Sequence, residues 1–198
     1  MKEVLPGIYH WTVTHPRIKI SVSSYYLAHA GVVIDPLIPG EGLDWFREPP
    51  KHVFLTNRHH YRHSGRFAEK FGCTVWCVES GLYEFKRDEQ VRAFRFGDTL
   101  PGDVVAVEIG AICPDETAFY IPTAGGLFVV ADGVIREDDG PLVFVPDKYM
   151  GDDPEIVKTG LKRSYRRLLE RDFDHLLLAH GWPWIGGAKK ALRQFVEA

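Results

Sequence analysis

No stretch of this 198-residue chain approaches the roughly 18 consecutive apolar residues of a membrane-spanning helix, and Met1-Lys2-Glu3-Val4-Leu5-Pro6-Gly7 has no apolar core of the kind a secretory leader carries. The expectation is a cytoplasmic protein with no membrane partner. An excess of positive charge is also missing: 24 Lys and Arg stand against 27 Asp and Glu, for a net charge of −3. That balance does not supply the broad positive field of a phosphate-backbone binder, so nucleic acid is not an expected partner. Cysteine is scarce and odd in number, at Cys73, Cys77 and Cys113, which argues against a disulfide framework. The Cys73 to Cys77 spacing matches no common zinc knuckle, and these sulfurs read as small core groups on a strand. Repeats, low-complexity tracts and linkers are absent as well, so residues 1–198 read as one domain.

What the chain does contain is a succession of short β-branched and aromatic runs: Gly7 to Trp11, Ser24 to Ala28, Gly31 to Asp35 and Lys51 to Thr56. Runs this short favour strands. Gly65 to Gly72 has helical spacing and a terminal glycine, and Thr74 to Val78 is extended again. A strand, a polar loop, a helix and a parallel strand therefore follow one another, placing the loop Asn57 to Ser64 at a strand's carboxyl end, where α/β proteins build their sites.

Further strands are expected at Val104 to Glu108, Thr117 to Ile121 and Leu127 to Ala131, as an antiparallel meander. Asp153-Pro154 opens a helix running to Glu170, with Asp153 as N-cap and Pro154 in the first helical position. His175 to Ala179 reads as a buried strand and Ala188 to Glu197 as a closing helix.

Three of the nine histidines crowd into Asn57-Arg58-His59-His60-Tyr61-Arg62-His63-Ser64-Gly65. Imidazoles clustered on a loop after a strand suit a metal site or an acid/base site, because neutral imidazole binds zinc and titrates near neutrality. Solvated or capping histidines are the other reading of the same cluster. Asp132-Gly133 likewise reads either as a turn or as a ligand position, His180 as a ligand or as a sheet-edge group, and Asp35-Pro36 as a structural turn.

The segment from Thr56 to Gly65 resembles the signature loop of the metallo-β-lactamase superfamily, Thr-His-x-His-x-Asp-His-x-x-Gly, in register from Thr to Gly. The resemblance extends through Ser24 to Leu27, Val33 to Asp35, Val129 to Gly133 and Leu176 to Pro183, essentially the whole chain. It implies an α/β fold, a four-layer αββα sandwich. Of the family's seven zinc-ligand positions it matches three, at His59, Asp132 and His180. Asn57, Tyr61 and Arg62 replace three others, and the mid-chain histidine falls near Gly110 to Pro114, at Ala111.

A dinuclear zinc centre is therefore not expected. The matched residues form a two-His, one-carboxylate set for one zinc or iron ion, with His60, His63 and Tyr61 as further ligand candidates. A register shifted by one residue would bring His60 or His63 into a ligand position. Arg62 is expected to pair with Asp132 in place of the lost ion.

Two functions follow from the resemblance. One is a hydrolase of a small ester, lactone, thioester or phosphoester, with His59, Tyr61, Arg62, Asp132 and His180 as site residues. The other is a catalytically inactive, metal-free module that binds an anionic small molecule.

Overall fold

The computed structural model of the protein describes all 198 residues. Strands β1 (Lys2–Leu5), β2 (Ile8–Thr14), β3 (Ser21–Leu27) and β4 (Val32–Ile34) form an antiparallel meander. Strands β5 (His52–Phe54), β6 (Thr74–Val78) and β7 (Val91–Phe94) extend it with parallel pairings into a seven-stranded sheet in chain order. Parallel neighbours require a crossover, and helix α1 (Ser64–Phe71) supplies the one between β5 and β6. Gly72, at φ +70°, ends that helix by sending its N–H to the Ala68 carbonyl.

The second sheet begins with β8 (Thr99–Leu100), followed by the expected antiparallel meander of β9 (Val104–Glu108), β10 (Thr117–Ile121) and β11 (Leu127–Val130). A small hairpin, β12 (Val134–Arg136) with β13 (Leu142–Phe144), follows. Helix α2 (Pro154–Leu168) then returns the chain so that β14 (His175–Leu178) lies parallel to β11, with β15 (Trp184–Ile185) on its outer edge. The Asp153 side chain accepts the Ile156 N–H at 3.1 Å, capping α2 as its sequence suggests. Helix α3 (Ala188–Glu197) closes the fold.

Alternation along β11 shows how the layers are held. Leu127 and Val129 face the core between the sheets, with Val104, Phe119, Ile121 and Leu177 beside Phe54 and Val75 of the first sheet. Phe128 and Val130 face the opposite way, onto Leu161, Tyr165 and Leu168 of α2 and Leu192 and Val196 of α3. A strand buried on both faces needs a continuous apolar run, which Leu127-Phe128-Val129-Val130 provides. Each such side chain contributes roughly 1.5–3 kcal/mol by leaving water. With α1 packed on the first sheet, the result is a four-layer αββα sandwich.

All three cysteines are free, Cys73 and Cys77 being buried. Strands β1, β7, β8, β12, β13 and β15 are not among those expected from the sequence: β8 and β15 have two residues each, and β1, β7, β12 and β13 carry charged or half-exposed residues in place of a continuous buried apolar run. No helix is long and apolar enough to cross a membrane.

The parallel pairs β4/β5 and β11/β14 place four chain segments at one end of the sandwich: Asp35 after β4, Thr56 to His63 after β5, Asp132 after β11 and His180 after β14. The two sheets are fastened beside this end. Tyr25 Oη donates to the Leu178 carbonyl at 2.8 Å and accepts the Leu178 N–H at 3.0 Å, while the Ser23 N–H reaches the Ala179 carbonyl.

Candidate metal centre

Asp35 begins the site. It sits at φ 49°, fully inside the protein, where its carboxylate accepts the Thr56 N–H at 2.9 Å and the Thr56 hydroxyl at 2.6 Å. The same carboxylate lies 2.9 Å from His60 Nδ1, which also meets Thr56 Oγ1 at 2.9 Å. With Nδ1 occupied on that side, the opposite ring nitrogen, Nε2, lies 3.2 Å from Asp132 Oδ1. His180 Nε2 meets that oxygen at 2.9 Å, and the Asn57 amide donates to the other Asp132 oxygen at 2.9 Å.

Electrostatics follow from this chain of contacts. Burial and the Arg62 charge both push His60 toward neutrality, yet the Asp132 and Asp35 carboxylates outweigh them and its pKa rises from 6.5 to about 9. Burial opposes ionisation of Asp132, but His60 and His180 prevail and hold it well below the ordinary carboxylate range. The ligand atoms of His60, Asp132 and His180 all lie within 4.8 Å of one another, the one group of three metal-ligating side chains in the chain.

This donor set fits a single ion. Two imidazole nitrogens and one carboxylate is a known composition for iron or zinc, and adjacent ligands on bonds of about 2.1 Å are separated by roughly 3.0–3.4 Å. The observed nitrogen-to-oxygen separations of 2.9 and 3.2 Å approach that range. The Asp35 contact to His60 Nδ1 is the outer support that metal-bound histidines use to fix ring orientation.

The residues singled out in the sequence take different positions. Asp132 and His180 meet, and the third imidazole of the cluster is that of His60. His59 is exposed; its N–H is held by the Asn57 side chain at 2.9 Å and its ring takes no part in the cluster. Tyr61 packs against Phe85, 5.6 Å between ring centroids, beside Gly65 of α1. His63 Nδ1 accepts the Ile38 N–H at 3.0 Å, tying down the chain after β4. Ala111 packs toward Gly160 of α2.

The expected pairing of Arg62 with Asp132 does not form. Arg62 adopts φ 43°, and its Nη1 donates to the main-chain carbonyls of Ser23 at 2.9 Å and Asp35 at 2.7 Å. Asn57, His60 and His180 take the Asp132 oxygens instead.

Three supporting residues escape a reading of the sequence. Asp35 looks there like an Asp-Pro turn, yet it positions His60. Asp115 accepts both the N–H and the guanidinium of Arg58, pinning the histidine loop to the second sheet, and Arg58 lies 5.4 Å from the Tyr83 ring centroid. Glu116 is buried behind Asp132-Gly133 and accepts the N–H groups of Ile112 at 3.1 Å and Gly133 at 3.2 Å. Burial raises its pKa to about 7.

No family model matches the sequence, and no curated protein is significantly similar to it. Solved structures do match. A metallo-β-lactamase family protein from Thermus thermophilus superposes with a TM-score of 0.68 at 17% identity, over 97% of this chain and 79% of that one. The protein TTHA1623, solved in a di-iron-bound form, gives 0.68 at 20% identity over 91% and 96%. The flavodiiron protein from Giardia intestinalis gives 0.67 at 16% identity, over 98% of this chain and 57% of that one. The chain has the metallo-β-lactamase fold.

Proposed function

We propose that this protein is a metallo-β-lactamase-fold hydrolase whose site holds one zinc or iron ion on His60, Asp132 and His180. The convergence of those three ligand atoms within 4.8 Å carries the reading. When bound, such an ion supplies Lewis acidity toward an acyl or phosphoryl oxygen and toward water. Asp35 and Thr56 hold the His60 ring so that Nε2 presents its lone pair to the cleft. Asn57 holds the second Asp132 oxygen and so fixes the rotation of the carboxylate. The substrate class is a small ester, lactone, thioester or phosphoester.

A second reading has its own support: each Asp132 oxygen already has a hydrogen-bond partner, and the raised pKa of His60 favours an imidazolium between Asp35 and Asp132. On that reading the protein is a metal-free binding module.

Elemental mass spectrometry on untagged protein, before and after loading with zinc or iron, separates the two. About one ion per chain, lost in His60→Ala and His180→Ala but retained in His59→Ala, is the expected result. No bound metal after loading, or full occupancy in His60→Ala, would overturn the hydrolase reading.

A further inference from the structure

Arg62 occupies a place that the proposed metal centre does not explain. A guanidinium withdrawn from water ordinarily pairs with a carboxylate, because uncompensated charge is costly to bury. Arg62 instead spends Nη1 on two uncharged carbonyls, those of Ser23 and Asp35. Its Nε and Nη2 have no hydrogen-bond partner in the chain, and neither is sealed from solvent. These two nitrogens form the side of a guanidinium that matches a pair of oxyanion oxygens.

The backbone supports the same view. Arg62 has φ 43° and ψ −113°, outside the regions that L residues favour. Such a conformation is strained and persists where surrounding structure enforces it. Here the enforcement comes from both sides, His60 being bound to Asp35 and the His63 N–H to the Pro36 carbonyl.

A second hydrogen-bond donor is offered by the turn between β2 and β3. His15 Nδ1 accepts the N–H groups of Arg17 at 3.3 Å and Ile18 at 3.5 Å, which leaves Nε2 without a partner in the chain. Burial chiefly lowers the pKa of His15, and the charges of Arg62, His60, Arg17 and His63 add to it, so the ring is neutral and Nε2 is its N–H donor. The same turn exposes Arg17, Ile18 and Ile20.

We infer that Arg62, with His15 and Arg17 at the rim, is a recognition site for the anionic group of the ligand, a carboxylate or a phosphate ester held in bidentate fashion by Arg62 Nε and Nη2. The inference rests on the hydrolase reading only for the place of the scissile bond, which then lies beside His60, Asp132 and His180; anion binding itself needs no metal. It narrows the substrates to acidic ones.

The test uses the full chain, treated with chelator, and three probes of similar size: phenyl phosphate, benzoate and uncharged benzamide. Isothermal titration is expected to show saturable binding of one or both anions and none of benzamide, the stronger anion identifying the group. In wild-type protein the Arg62 Nε–H resonance shifts on saturation. Arg62→Gln weakens anion binding by about tenfold or more, and Arg62→Lys, which keeps the charge and loses the fork, does not restore it. His15→Gln and Arg17→Gln, on an exposed turn, each weaken it by a smaller factor, and their circular dichroism melts match the wild type.

Equal binding of benzamide, an unmoved Arg62 resonance at saturation, or unchanged anion affinity in a folded Arg62→Gln protein would each overturn the inference. If Arg62→Gln fails to fold, the wild-type resonance and the two turn variants decide. Metal content is measured separately: anion binding without metal leaves this inference standing and removes the hydrolase reading, and metal without anion binding does the reverse.

Discussion

The carboxylate of Asp35 lies 2.9 Å from His60 Nδ1, and this contact turns the opposite ring nitrogen toward Asp132. Asp35→Asn isolates the effect, because Asn tolerates the left-handed φ of 49° and keeps the side-chain shape while losing the charge. Metal affinity is expected to fall about 10- to 100-fold, as for other lost outer supports of a ligating histidine. Competition against a chromophoric chelator measures it, and unchanged affinity would show that His60 needs no such support.

Glu116 predicts a pH dependence of stability. Its pKa is raised from 4.5 to about 7 in the folded protein, chiefly by burial. The folded state therefore holds the proton more tightly than the unfolded chain. The associated stability is fully present below pH 4.5 and is lost as pH rises through 7. Replacing the carboxyl with an amide removes the titration. Between about pH 4.5 and 8 the stability difference is expected to move in favour of Glu116→Gln by about 3 kcal/mol. Urea unfolding across that range checks it; parallel curves would mean that Glu116 titrates alike in both states.

Gly181 supports the segment that carries His180. Its φ is +89°, and a Cβ there would overlap the Arg136 carbonyl oxygen, which accepts the Trp182 N–H. Gly186 also has positive φ, at +80°, but open space around it. Gly186→Ala is expected to cost about 1–2 kcal/mol from backbone conformation alone, and Gly181→Ala more than about 3 kcal/mol, because Arg136 cannot withdraw without breaking the β12 contact. Gly181→Ala should also lose bound metal through displacement of His180. Equal melting temperatures for the two variants would contradict this.

The sequence was legible where local rules act over several residues. Asp153 and Pro154 mark the start of α2, Gly72 the end of α1, and the unbroken apolar run from Leu127 a strand covered on both faces. The helix expected to reach Glu170 ends at Leu168, a difference within ordinary fraying. The histidine loop was recognisable by spacing and by its place after a strand.

Which imidazole enters the cleft was not legible, since it turns on single backbone angles. The 3₁₀ turn from Arg58 to Tyr61 is kinked at His60, and Arg62 then takes positive φ. The pattern Asn-Arg-His-His-Tyr-Arg-His carries no sign of either. Asp35 and Glu116 escaped for another reason: their roles are set by partners 25 and 17 positions away.

Tyr25 and Leu178, 153 positions apart in the chain, are bonded to each other beside the cleft. Asp35 and His60 arrive from the first half and Asp132 and His180 from the second, so neither half carries the cluster alone. Contacts of such large separation form slowly, after local structure, because loop closure must precede them. The expectation is that this end of the sandwich assembles late in folding. Whatever binds across it acts as a clasp between the halves, and occupancy is read directly as a rise in melting temperature.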